Sequence, residues 1–305
     1  MKTNKFLLKS MILVSSVAFL ASCGNDDAPS LPPIGGYNSS DEIGATDLVA
    51  YWPLNGNGNE SKSNTAPEMS VGASYEVGAK GQGLKLVNGY LKFPAMNNFS
   101  SSMTGYTISA WANVKNNLTP ASASSSTFFS LSRANAWDGN LNLYAETAQR
   151  PAVELDGRVN DTIVVKTGFR TTASGGEFYE NNIRLEPWMI ADNLITPNRH
   201  VANPVATGGR WAHYVATWDG TTNRFIVYVN GVKSSNPAFE IRGTNTSIVF
   251  DTPTFAYIGA FGDFATTTEP WNKRMTGSLD EIRVFKKALI ATDVKALYDL
   301  EKVGR

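Results

Sequence analysis

Three tryptophans stand in turn-rich settings: Trp137 within Asn135-Ala136-Trp137-Asp138-Gly139-Asn140, Trp188 after Glu186-Pro187, and Trp271 within Glu269-Pro270-Trp271-Asn272. An indole outside a strand ladder offers a flat apolar face. The C–H face of a sugar ring stacks on such a surface, while nearby Asn, Asp and Arg side chains pair with its hydroxyls. Prolines beside Trp188 and Trp271 argue against ladder positions for both. Tyr179 and Arg184, close to Trp188 in the chain, add a second ring and a planar fork of donors. These five residues form the candidate carbohydrate-binding set. The competing reading of each Trp is a ring folded back onto the protein's own edge.

Other chemistries have less to draw on. A single cysteine, Cys23, excludes an intramolecular disulfide and the thiolate zinc sites, and His200 and His213 are the only imidazoles. No Gly-x-Ser-x-Gly elbow supports a nucleophilic serine. Lys+Arg 27 balances Asp+Glu 27, with no basic run beyond the first ten residues, so nucleic acid is not an expected partner. Nothing points to an organic cofactor.

The elements that must carry these residues are strands. Thr107 to Val114 alternates with period two, placing Ile108, Ala110, Ala112 and Val114 on one face. Trp211 to Trp218 is a second strand. Arg224 to Val229 is a third, closed by Asn230-Gly231, a strong hairpin signal. Further strands are expected at Leu48–Leu54, Leu84–Phe93, Phe128–Ser132, Leu141–Glu146, Thr162–Thr167, Ser247–Phe250, Ala256–Ala260 and Gly277–Phe285. The chain therefore reads as all-β, a two-sheet antiparallel sandwich. One short C-terminal helix, Thr292 to Glu301, is expected to bury Val294, Leu297 and Tyr298, with Thr292 as N-cap.

Three blocks carry a resemblance. Leu48-Val49-Ala50-Tyr51-Trp52-Pro53-Leu54-Asn55-Gly56-Asn57-Gly58-Asn59 resembles the opening strand of the laminin-G-like, concanavalin A-like jelly rolls. Trp211 to Gly220, followed by Tyr228-Val229-Asn230-Gly231-Val232, is similar to that family's central hairpin. Gly277-Ser278-Leu279-Asp280-Glu281-Ile282-Arg283-Val284-Phe285, with Ala288-Leu289 and Ala296-Leu297-Tyr298, is similar to its closing strand and helix. The resemblance implies one jelly-roll domain over residues 47–305. Residues 171–209 are the expected insertion, because the stretch between Trp111 and Trp211 is longer than a compact member needs. It also implies a structural Ca2+ where the opening loop meets the closing strand, with Asp280, Glu60 and Asn64 as ligands and Asn57 and Asn59 nearby. Catalytic jelly rolls of the laminarinase type carry two glutamates bracketing an aspartate. The nearest run, Glu154-Leu155-Asp156-Gly157-Arg158-Val159, has valine where the second carboxylate would stand, so no catalytic residue is assigned.

The N-terminus places the domain in the cell. Lys2, Lys5 and Lys9 precede an uncharged apolar stretch, Met11 to Leu20, about half the ~20 residues that span a bilayer as a helix. Leu20-Ala21-Ser22-Cys23 resembles the lipobox of bacterial lipoproteins, which implies a signal peptide over 1–22 and lipidation of Cys23. Residues 23–46, rich in Gly, Pro, Ser and Asp, read as a flexible linker. Asp26 and Asp27 resemble the acidic signals that send Bacteroidota lipoproteins to the outside of the outer membrane. Cleavage removes three lysines and no acid, leaving a formal charge of −3. The expectation is a lipid-anchored outer-membrane protein that faces the cell exterior, binds glycan without catalysis, and has membrane lipid and other surface-complex proteins as partners. A protein-binding structural or adhesive module, and a hydrolase or lyase with unrecognised carboxylates, are the alternatives.

Overall fold

The computed structural model of this 305-residue chain describes residues 31–99, 101–115, 125–133, 139–146, 162–171, 178–182, 205–235, 237, 240–244, 247–262 and 272–305. Fourteen strands are described, every pairing between them antiparallel: β1 Leu48–Trp52, β2 Met69–Val77, β3 Gln82–Ala95, β4 Gly105–Asn113, β5 Ser125–Ser132, β6 Leu141–Glu146, β7 Thr162–Arg170, β8 Phe178–Asn182, β9 Val205–Ala206, β10 Ala212–Asp219, β11 Arg224–Val229, β12 Val232–Lys233, β13 Phe255–Ile258 and β14 Met275–Phe285. One α-helix is described, α1, over Ala291–Lys302. No described helix is long and apolar enough to cross a membrane.

The strands form the two facing layers of a jelly-roll sandwich. One layer runs β12-β11-β10-β4-β14 and the other β13-β5-β6-β7-β8, with β3 joining them. The first half of β3 pairs with β14 (Lys85↔Ser278), and its second half pairs with β13 (Leu91↔Ile258). This transfer needs a local break in side-chain bulk. A Cβ on Gly89 would sit 2.3 Å from the Val71 carbonyl, and one on Gly72, at φ +59°, would sit 2.4 Å from that of Val87. Glycine at both positions lets β2 and β3 close on each other at the bend.

The core lies between the layers, made by alternate residues of each strand. Tyr106 and Trp218 from one layer meet Phe169 from the other, and Trp52 meets Phe129 at 4.9 Å between ring centroids. Each such fully buried ring stabilises the fold by roughly 1.5–3 kcal/mol relative to exposure. Ile108, Ala110, Ala112 and Val114 join this core, as their alternation predicts. The opposite face of β4 is also buried, because α1 lies across it. Val294, Leu297 and Leu300 of α1 pack on Val215, Tyr228 and Phe285.

Several boundaries differ from the sequence reading. Helix α1 starts one residue early, and Ile290, not Thr292, is its N-cap, without a side-chain bond. Ser247–Phe250 is no strand; Ile248 makes only an isolated bridge to Met103. β2 was not foreseen: Val71, Ala73, Tyr75 and Val77 alternate with Ser70, Gly72, Ser74 and Glu76, but none of its residues is fully buried. The insertion opens as a hairpin, β8 pairing with β7 through Tyr179↔Phe169, and β9 returns to pair with Ile163.

The linker needs the largest correction. Residues 34–46 belong to the folded unit, which runs Pro33–Arg305. Ile43 is buried beside Leu289 and Leu297 of the helix layer, the Tyr37 hydroxyl donates to Asp293 at 3.0 Å, and Ser40–Glu42 forms a 3-10 turn. Single anchors hold this segment, so it shows none of the periodicity that marks a buried face.

Candidate functional site

A cleft of about 670 Å3 opens where strand ends from both layers meet. β14 begins beside β3, with Gly277 opposite Leu86, and β4 ends at Asn113 opposite Ser278. A Cβ on Gly277 would stand 2.8 Å from the Asn113 carbonyl, so glycine allows this close approach. Ser125 and Ser126, at the start of β5, supply the facing wall. Leu86 and Val87 make an apolar part of the lining, and Asn113, Thr276 and the serines make a polar one.

Charge in the cleft is one-sided. Among the described residues, Lys85, Lys115, Lys273 and Arg274 line it against a single carboxylate, Glu76. Lys85 pairs with Glu76 at 2.7 Å, and the Ser278 hydroxyl donates to the other Glu76 oxygen at 2.6 Å. The Lys85 and Ser278 hydrogen bonds hold the Glu76 carboxyl below its ordinary pKa. Arg274 lies 5.5 Å from the Tyr90 ring centroid. Lys115 and Lys273 are exposed and form no ion pair among the described residues.

The seam expected to hold calcium is built differently. Glu60 is fully buried, and its carboxylate accepts from the amides of Tyr51, Lys62 and Ser63 and from the Ser63 hydroxyl. Asp280 accepts from the amides of Lys80 and Glu281, each at 2.9 Å. Burial pushes its carboxyl up to about 8, against the pull of the Lys80 amide. The two carboxylates share no hydrogen-bond donor, and Asn64 is exposed at φ +54°. Calcium takes 6–8 oxygen ligands; here the acidic oxygens already face N–H and O–H donors, so the donor set does not fit the ion. Among the described residues no group of three His, Cys, Asp or Glu could hold a metal.

Trp137, Trp188, Trp271 and Arg184 lie outside the described residues, as do Cys23 and the Glu154–Val159 run. Tyr179 is placed by its backbone in β8. Of the strand tryptophans, Trp52 and Trp218 are core, and Trp111 is covered by α1. Trp211 is half-buried and lines a smaller recess of about 290 Å3 with Tyr298 and Lys302. The cationic lining of the cleft was missed by sequence reasoning. A search for runs of basic residues finds none there, because β3, β4 and β14 bring Lys85, Lys115 and Lys273 together from distant parts of the chain.

A family model described as the concanavalin A-like lectin/glucanases superfamily matches residues 85–295. A search of curated proteins returns no match. Among solved structures, the chain is similar to domain 4 of AbnA, a GH43 extracellular arabinanase from Geobacillus stearothermophilus, in complex with arabinotriose. That likeness has 18% identity and a TM-score of 0.48, covering 82% of this chain and 98% of the other. It is also similar to the binding domain of Paraclostridial Mosquitocidal Protein 1, at 14% identity and a TM-score of 0.51, covering 84% of this chain and 52% of that one. The botulinum neurotoxin serotype G binding domain gives 13% identity and a TM-score of 0.51, covering 83% and 51%. This chain thus spans about half the length of either toxin structure, and these likenesses concern the fold.

Proposed function

We propose, from the premise that this chain belongs to the concanavalin A-like lectin/glucanases superfamily, that it is a lipid-anchored surface protein whose rim cleft binds glycan without catalysis. The observation that supports binding is the cleft itself. Its volume of about 670 Å3 lies within the roughly 300–1,000 Å3 usual for ligand sites. Its lining mixes an apolar patch with hydroxyl, amide and cationic groups, which suits a ligand that is both ring-shaped and rich in hydroxyls.

The non-catalytic part rests on carboxylate chemistry. Glycoside hydrolysis needs two carboxyl groups flanking the scissile bond, one of them protonated as the acid. Among the described residues lining the cleft Glu76 is the one carboxylate, and Lys85 and Ser278 keep it ionised. The anchoring part rests on the sequence alone: Leu20-Ala21-Ser22-Cys23 for lipidation, and Asp26-Asp27 for export to the exterior face of an outer membrane. Calcium has no part in the proposed binding.

A glycan array probed with the full chain in mild detergent tests the reading. The expected result is selective binding to at least one glycan class, with no new reducing ends released on long incubation. Release of reducing ends would make the protein an enzyme. Absence of glycan binding, with capture by a surface protein instead, would make it an adhesive module.

A further inference from the structure

The rim cleft faces its ligand with a charge opposite to that of the rest of the protein. After signal-peptide removal the chain carries a formal −3, yet among the described residues four cations line the cleft against one acid. That acid is already spent: Glu76 is held by Lys85 at 2.7 Å and by the Ser278 hydroxyl at 2.6 Å. Lys115 stands exposed just after β4 and Lys273 just before β14, both without an ion pair among the described residues. A cluster of like charge at one place on an otherwise acidic molecule costs self-repulsion, and the cost is relieved when an anion enters.

We infer that the cleft selects glycans bearing anionic groups, carboxylate or sulfate, with Lys115 and Lys273 as the contacts that read the charge. This rests on the glycan-binding reading above and names its ligand class. Low-dielectric walls around a cleft of one sign focus the field, so an acidic polymer gains both affinity and encounter rate over a neutral one. The polar groups of Asn113 and Thr276 serve the sugar hydroxyls, which a bare anion would leave unused. Both lysines are exposed at strand ends, so replacing them leaves the core unchanged.

Two matched pairs of polymers test this with the full chain in mild detergent: dextran sulfate against dextran, and polygalacturonate against its fully methyl-esterified form. Binding is read by calorimetry at 50 and 300 mM NaCl. The expected result is at least tenfold tighter binding of the charged member of one pair, weakening with salt. Preference within the first pair identifies sulfate as the group read, and within the second, carboxylate. The Lys115→Ala/Lys273→Ala variant, with an unchanged melting temperature, should lose tenfold or more for the charged member. The Lys→Arg double variant should restore it. Equal binding of charged and neutral members overturns the charge inference while glycan binding stands. Charged binding that is indifferent to both lysines also overturns it, placing the anion elsewhere. Failure to bind these polymers, together with a blank neutral and acidic array, overturns the glycan reading itself.

Discussion

Trp111 donates its indole N–H to the carboxylate of Glu301 at 2.7 Å, joining the C-terminal part of β4 to the last turn of α1 across 190 residues of chain. Glu301 is fully buried, and its other oxygen accepts from Arg283 Nε at 3.0 Å. Arg283 in turn donates to Glu281 at 2.8 Å and to Asp41 at 2.9 Å. Its guanidinium lies 3.8 Å from the Tyr51 ring centroid. One buried network therefore binds β1, β4, β14, the helix and the N-terminal turn. It fixes the helix layer on the face of the sandwich turned away from the core, and so fixes β4 and β14, whose ends build the cleft.

Glu301→Ala should destabilise the protein by about 3–5 kcal/mol, because it leaves Arg283 and the Trp111 N–H buried without that partner. Trp111→Phe should cost less, about 1–3 kcal/mol, since it removes a donor and leaves one carboxylate oxygen to find another. Urea unfolding of both variants reads the values. A loss below about 1 kcal/mol for Glu301→Ala would show that water replaces the pair, and the network would no longer explain how the helix is held.

His213 gives the domain a dependence on acid. Its ring is fully buried between Trp111, at 5.2 Å between centroids, and Tyr298, at 6.1 Å. Burial, and then the positive charge of Arg283, push its pKa down to about 3 from 6.5. The folded state thus binds the proton less readily than the unfolded one. The stability linked to His213 is complete above pH 6.5 and is lost as pH falls from there toward 3, at about 1.4 kcal/mol per pH unit. His213→Phe should flatten that part of the profile between pH 6 and pH 4, measured by urea unfolding against the parent. An unchanged slope would mean that Glu301, whose Oε2 lies 3.6 Å from His213 Nε2, neutralises the imidazolium.

The hairpin at Asn230-Gly231 was legible because the turn itself dictates the residues: φ is +51° and +74° there, which Asn and Gly tolerate. The core face of β4 was legible for a similar reason, since period two is a local property of a strand. Its other face was not. Thr107, Ser109 and Trp111 stand on it, buried under α1 and the segment before it: Tyr298 of α1 stacks on Trp111, and Thr107 Oγ1 donates to the Lys287 carbonyl and accepts from the Leu289 amide. Which helix lies over which strand is a long-range fact. The cleft is long-range too, because Lys115 and Lys273 come to line one cleft only once β4 and β14 have paired.

Cys23→Ala should abolish membrane partitioning of the full chain and incorporation of labelled palmitate. Multiple acyl chains hold a protein on a bilayer where one does not, and Cys23 is the chain's only thiol. Fractionation and radiolabelling read the outcome. Continued labelling of the variant would locate the lipid elsewhere and remove the basis for a surface address.

Calcium and chelator should leave the melting temperature of the domain unchanged to within about one degree, because every Glu60 and Asp280 carboxylate oxygen already accepts from a protein donor that a cation would have to displace. Glu60 Oε1 holds the amides of Tyr51 and Lys62, and Oε2 holds both donors of Ser63. The loop after β1 is thus fastened to the strand by a carboxylate acting as an acceptor for amides. Glu60→Ala strips a partner from three backbone N–H groups at a buried position. It should cost about 1–3 kcal/mol for the unsatisfied donors, a fall of several degrees in Tm at this size, equally with and without calcium. Glu60→Gln, which keeps one acceptor oxygen, should recover part of that loss. A rise of several degrees in the parent's Tm on adding millimolar calcium, abolished by Glu60→Gln, would show instead that the ion takes these oxygens from the amides and that the seam is a metal site.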